Sequence, residues 1–228
     1  MRILAVDTSA VCAAVAVVDG DKVLSESQTN TGLTHSRTLM PMIDSTLKNA
    51  EIPLSGIDLF ACSAGPGSFT GIRIGVAAIK GLCDGTGKKC IPVSTLEALA
   101  YNLLGRSCTA VCVMDARCNQ VYTASFRIDG NTVERLTEDE AIKIEELGER
   151  LPSYENVVFV GDGAKICHKA LGYSIAPPSE LYQKGSSVAL CALRNYSEEK
   201  LTEGKDLLPI YLRLPQAERE LKARQNLV

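Results

Sequence analysis

Cys62-Ser-Ala-Gly-Pro-Gly-Ser-Phe-Thr-Gly-Ile-Arg-Ile-Gly-Val-Ala-Ala-Ile-Lys-Gly-Leu82 is the stretch whose reading decides the fold. It follows Ile57-Asp-Leu-Phe-Ala-Cys62, an apolar run with the length of a buried strand. Gly65-Pro66-Gly67 breaks that strand, because glycine tolerates the backbone angles of a sharp turn. Ser68 or Thr70 is placed to cap a helix beyond it. Along this helix Gly71, Gly75 and Ala78 recur three or four apart, leaving one stripe nearly bare. Each glycine in a helix costs about 1 kcal/mol relative to alanine, so a second backbone is expected close to the stripe. The loop itself has two readings, an anion cradle at a helix start or a tight turn that serves packing. No lysine follows in P-loop spacing and there is no G-x-G-x-x-G, which favours packing.

Working outward, 228 residues suffice for one large domain or two small lobes. Nearly half the residues are hydrophobic and the formal charge is −3. An ordinary globular protein follows, not a stand-alone nucleic-acid binder with a basic face. No run approaches the ~18 apolar residues of a membrane span, and the opening residues read as a strand, not a signal peptide. A cytoplasmic location without membrane contact is expected. The nine cysteines are odd in number, scattered and free of C-x-x-C pairs, so buried packing explains them better than disulfides or a metal.

In chain order, Met1 to Ser9 reads as a strand with an acid, Asp7, at its tip. Strands follow over 11–18 and 22–28, joined at Asp19-Gly20-Asp21, then a helix over 35–50. That helix carries Leu39, Met40, Ile43 and Leu47 on one stripe and Met42 off it, with Pro41 inside as a candidate kink. After strand 57–62 and the glycine-striped helix come a short strand over 88–93 and a helix capped by Ser94 or Thr95. The pattern then restarts. A strand over 109–115 again ends in an acid, Asp115, followed by a hairpin over 121–136, a helix over 138–151 and a strand over 157–160. A helix over 186–201, a short element over 208–213 and a charged helical tail over 216–224 complete the chain. The order strand-strand-strand-helix-strand-helix is thus repeated about a hundred residues on, which predicts an α/β protein with two mixed sheets covered by helices. Lobes of 1–104 and 105–228 are expected, in the duplicated architecture of actin, hexokinase and Hsp70 ATPases.

Several blocks then converge. They are Ile3 to Ser9, His35-Ser36, Ala64 to Gly75, Pro92 to Ala100, Met114 to Arg117, Gly161 to Ala164 and Pro209 to Arg213. In content and order they resemble the TsaB (YeaZ) family, the Gly-Pro-Gly-Ser-Phe-Thr-Gly block being the specific one. The resemblance implies a degenerate, non-catalytic partner of TsaD, the longer subunit of the same fold that holds the active site. With TsaE, that complex installs N6-threonylcarbamoyl on the adenosine next to the anticodon of tRNAs reading codons that begin with A. It reaches tRNA only through the complex. A metallopeptidase or a small-molecule kinase of the same fold is the alternative.

The catalytic relative carries His-x-x-x-His just after its Pro-Val strand, and those positions here are Thr95 and Leu99. Its further aspartate ligand has no counterpart in this shorter sequence. No metal site, catalytic residue or cofactor is therefore expected. Asp7 and Asp115 are followed by no glycine, so side chains crowd the place where a kinase of this fold would take phosphates. What remains is association. The resemblance places the contact with TsaD, or with a second copy in a homodimer, on the two long N-terminal helices. The expected interface residues are His35, Leu39, Met40, Met42, Ile43, Gly71, Arg73, Gly75 and Ala78. The glycine stripe could equally pack internally against the strand layer, but the surplus of apolar side chains on helix 35–50 favours an intermolecular use of this face, including the stripe.

Overall fold

The computed structural model describes residues 1–213; the helix expected over 216–224 lies outside them. Strands β1 (Arg2–Asp7), β2 (Ala13–Asp19), β3 (Lys22–Thr29), β4 (Leu59–Gly65) and β5 (Cys90–Ser94) form the first sheet, in the order β3-β2-β1-β4-β5. β1 pairs antiparallel with β2 and parallel with β4, so the sheet is mixed. Strands β6 (Ser107–Asp115), β7 (Gln120–Asp129), β8 (Thr132–Arg135), β10 (Val157–Val160) and β11 (Ser174–Ile175) repeat that order as β8-β7-β6-β10-β11. β6 again pairs antiparallel with its hairpin partner and parallel with β10. The duplication read from the sequence is the architecture of the molecule, an actin-like α/β fold with two mixed sheets covered by helices.

Both faces of the first sheet are buried, which is why β1 and β4 read as continuous apolar runs. Leu4, Val6, Val15, Phe60 and Cys62 face α1 (His35–Asn49) and α2 (Phe69–Thr86). The alternate residues Ile3, Ala5, Val18, Leu59 and Ala61 meet α7 (Gly185–Arg194). That helix lies in the second half of the sequence yet covers the first sheet, packing chiefly on β1 and β2. Conversely α3 (Thr95–Ala100), from the first half, packs on β6 and β7. The first sheet ends with β5 at Ser94 and the second begins with β6 at Ser107, but the covering helices cross between the halves. α4 (Ile144–Arg150), α5 (Ala164–Leu171) and the short α6 (Pro178–Leu181) complete the second sheet's cover.

Three local expectations change. Residues 140–143, expected as the start of a helix, form strand β9 (Glu140–Lys143), paired along Gln120 to Thr123 of β7. An open strand edge offers backbone partners that a helical first turn lacks, and Ile142 becomes buried there. The helix expected over 186–201 ends at Arg194, and a 3-10 turn at 198–200 follows. Residues 208–213 form no regular element; Ile210 instead donates its N–H to the Ala64 carbonyl at 2.7 Å. Pro41 does not interrupt α1, which continues to Asn49.

Candidate functional site

Two surfaces carry the residues singled out by the sequence. The first is a cleft of about 550 Å³ between the two sheets. It is lined by the turn after β1, the start of α2, the tip of β6 and the Gly161-Asp162-Gly163 turn after β10. In this architecture that is where a nucleotide's phosphates would approach.

Several of the donors and acceptors around the cleft are used within the chain. Asp7 is buried, and one carboxylate oxygen accepts from the Ser9 N–H at 2.8 Å and the Ser9 hydroxyl at 2.6 Å. The other accepts from the Ser63 hydroxyl at 2.5 Å. Burial pushes the Asp7 carboxyl above its ordinary range, and the Ser63 and Ser9 hydrogen bonds only partly oppose this. At the start of α2 the Ser68 N–H donates to the Ser9 carbonyl at 2.7 Å, and the Ser68 hydroxyl accepts from Gly71 N–H at 3.2 Å. A Cβ at residue 67 would stand 2.4 Å from the Ser9 oxygen. The glycine loop thus admits the chain's own β1–β2 turn in the space an anion would need, as the packing reading expects.

Across the cleft, Asp115 accepts from Arg117 N–H at 2.8 Å, and its own N–H donates to Asp162 at 3.2 Å. Burial, with Asp115 nearby, raises Asp162 to about 6. Val11, half exposed, occupies the cleft wall where a phosphate-binding hairpin has glycine. Asp115 and Asp162 line this side of the cleft, and the Arg117 guanidinium there is paired with Asp115 at 3.3 Å. The side chains do not gather as metal ligands. Thr95 and Leu99 are both enclosed in the interior. His35 Nε2 lies 2.7 Å from the Ala10 carbonyl, and His168 Nδ1 lies 2.7 Å from that of Tyr173. Among the described residues no three His, Cys, Asp or Glu side chains cluster to hold an ion.

The second surface is the face of α1 and α2, and here the expectations divide. Gly71 and Gly75 are buried, and the neighbour they admit is Thr8 of the same chain. A Cβ at Gly71 would stand 2.0 Å from the Thr8 carbonyl oxygen, and one at Gly75 2.6 Å from the Thr8 hydroxyl. The Thr8 hydroxyl also donates to the Gly71 carbonyl at 2.7 Å. The bare stripe serves the interior, which corrects its assignment to an intermolecular contact. Leu39 and Ile43 are likewise enclosed beneath α1, and Ala78 and Met42 pack partly against the same core. Met40 is 50% exposed, His35 is half-buried, and Arg73 is exposed.

Met40 borders an apolar groove of about 490 Å³ whose floor includes Ile43, Leu47 and Leu82 and whose far wall is Ile52, Pro53 and Leu54. That wall was not among the expected interface residues. Its signal was the apolar Ile52-Pro-Leu54 run directly after a helix end. Tyr211 was also missed: its ring stacks on Phe69 with centroids 4.7 Å apart, and its hydroxyl accepts from Arg73 Nε at 2.8 Å.

A family model described as TsaD, tRNA N6-adenosine threonylcarbamoyltransferase, matches residues 23–218. The TsaB tRNA threonylcarbamoyladenosine biosynthesis protein of Bacillus subtilis is 30% identical over 229 residues, covering 96% of both chains. This chain belongs to the TsaB (YeaZ) family. The TsaB protein of Escherichia coli is 29% identical over 232 residues, covering 99% of this chain and all of its own. The fold agrees. YeaZ from Pseudomonas aeruginosa superposes with a TM-score of 0.78 at 21% identity, over 92% of this chain and 100% of that one. TsaB naming ties the chain to tRNA threonylcarbamoyladenosine biosynthesis. Among the described residues no helix is long and apolar enough to cross a membrane.

Proposed function

We propose that this TsaB-family chain is a non-catalytic subunit that docks on TsaD, with TsaE joining the complex, to install N6-threonylcarbamoyl on tRNA adenosine. The observation that carries it is the groove beside Met40: an exposed apolar side chain on α1 bordering an open apolar trough. Such a surface gains by covering with a partner. Docking selects one conformational state of the catalytic subunit, and its effect is limited to the difference in affinity between states. A second copy of this chain would compete for the same face, so a homodimer and the heterodimer exclude each other.

Depleting the protein in its host and measuring threonylcarbamoyladenosine in bulk tRNA tests the reading. The modification disappears on depletion and returns when the chain is restored. An unchanged level contradicts the assignment.

A further inference from the structure

We infer that residues 209–213 form a strap that sets the separation of the two walls of the interlobe cleft, and that Arg73 joins this strap to the proposed docking face. On the first wall the Ile210 N–H is bonded to Ala64 at the end of β4. Only glycine at position 65 permits this approach, since a Cβ there would stand 2.2 Å from the Ile210 carbonyl oxygen. One residue on, the Tyr211 ring lies on Phe69 with 20° between the planes, and Phe69 lines the cleft. On the second wall Arg213 Nη1 donates to the Ala116 carbonyl at 2.7 Å, and Ala116 lines the cleft from the opposite side. Leu212, between them, packs against the core of the second sheet. One short stretch therefore grips both walls.

The grip is light. Ile210 and Tyr211 are both exposed by 40% or more, so few buried contacts hold the strap down. Arg73 reaches it from α2. Besides its bond to the Tyr211 hydroxyl, its guanidinium carbon lies 5.6 Å from the ring centroid. A partner carboxylate that drew Arg73 away would free Tyr211, and with it one anchor of the cleft. This coupling rests on the docking reading; the strap itself does not.

Nitroxide labels on Cys118, the one exposed cysteine, and on Thr70→Cys report the cleft width by double electron–electron resonance. In the isolated chain, Tyr211→Ala and Arg213→Met each shift the distance distribution to longer values and broaden it, with circular dichroism unchanged. Arg213→Met removes one bond from a half-buried side chain and decides the matter if Tyr211→Ala does not fold. A distribution identical to the parent's in folded Arg213→Met overturns the strap. Added TsaD shifts the parent's distribution, whereas Tyr211→Phe, which keeps the stack but lacks the hydroxyl, docks without that shift. Docking of the parent with no shift overturns the coupling. No docking at all overturns the functional reading and the coupling with it, while the strap is judged on the isolated chain.

Discussion

Asp162 shows how a single carboxylate in this fold is made to work against the native state at neutral pH. Its ordinary value of 3.8 rises to about 6 through burial, so the folded chain favours the protonated form. The stability it contributes is full below about 3.8 and is lost as pH rises through about 6. Asp162→Asn keeps an oxygen to accept the Asp115 N–H and removes the charge. It is expected to raise stability by about 1–3 kcal/mol at pH 8 and to change nothing below pH ~4. Thermal melts of parent and variant across that range check it; an equal effect at both ends contradicts the electrostatic cause. Asp7 and Asp115 were legible in the sequence as acids at strand tips. Their actual partners, Ser63 across the sheet and the Asp162 turn, were not, because both depend on which strands lie side by side.

Helix α2 has two kinds of glycine, and only the fold distinguishes them. Gly71 lies against the Thr8 carbonyl, 63 residues away in sequence, whereas a Cβ at Gly81 would meet nothing within 4 Å. Gly71→Ala is expected to destabilise by about 1–3 kcal/mol through overpacking against backbone. Gly81→Ala is expected to stabilise by about 0.5–1 kcal/mol through helix propensity. Chemical denaturation of the pair gives opposite signs if the stripe is internal; a neutral Gly71→Ala contradicts it. The spacing of glycines announced a close backbone but not whose backbone it was. The same limit applies to β9, where Glu, Ala, Ile and Lys are all compatible with helix and the open edge of β7 makes them strand. By contrast the succession of elements along the chain and its repeat were legible, because the turn chemistry and alternation that mark strands and hairpins are local; which strands lie side by side was not.

At the scale of the whole molecule, duplication gives two sheets of the same strand order, and the covering helices α3 and α7 bind each half to the other's sheet. Between the sheets lies a cleft at which Ser9, Ser68, Asp115 and Asp162 bond within the chain. On the outside of the first sheet α1 leaves Met40 beside an apolar groove. This face is the proposed docking site for TsaD. Sedimentation velocity of the purified chain mixed with TsaD tests it most directly, with Met40→Asp as the comparison. Met40 is half exposed, so the variant is expected to fold with stability within about 0.5 kcal/mol of the parent. The parent is predicted to form a one-to-one complex and the variant to lose at least about tenfold in affinity, or 1.4 kcal/mol. Equal affinity of the folded variant and the parent for TsaD, or no complex with either, would contradict the account.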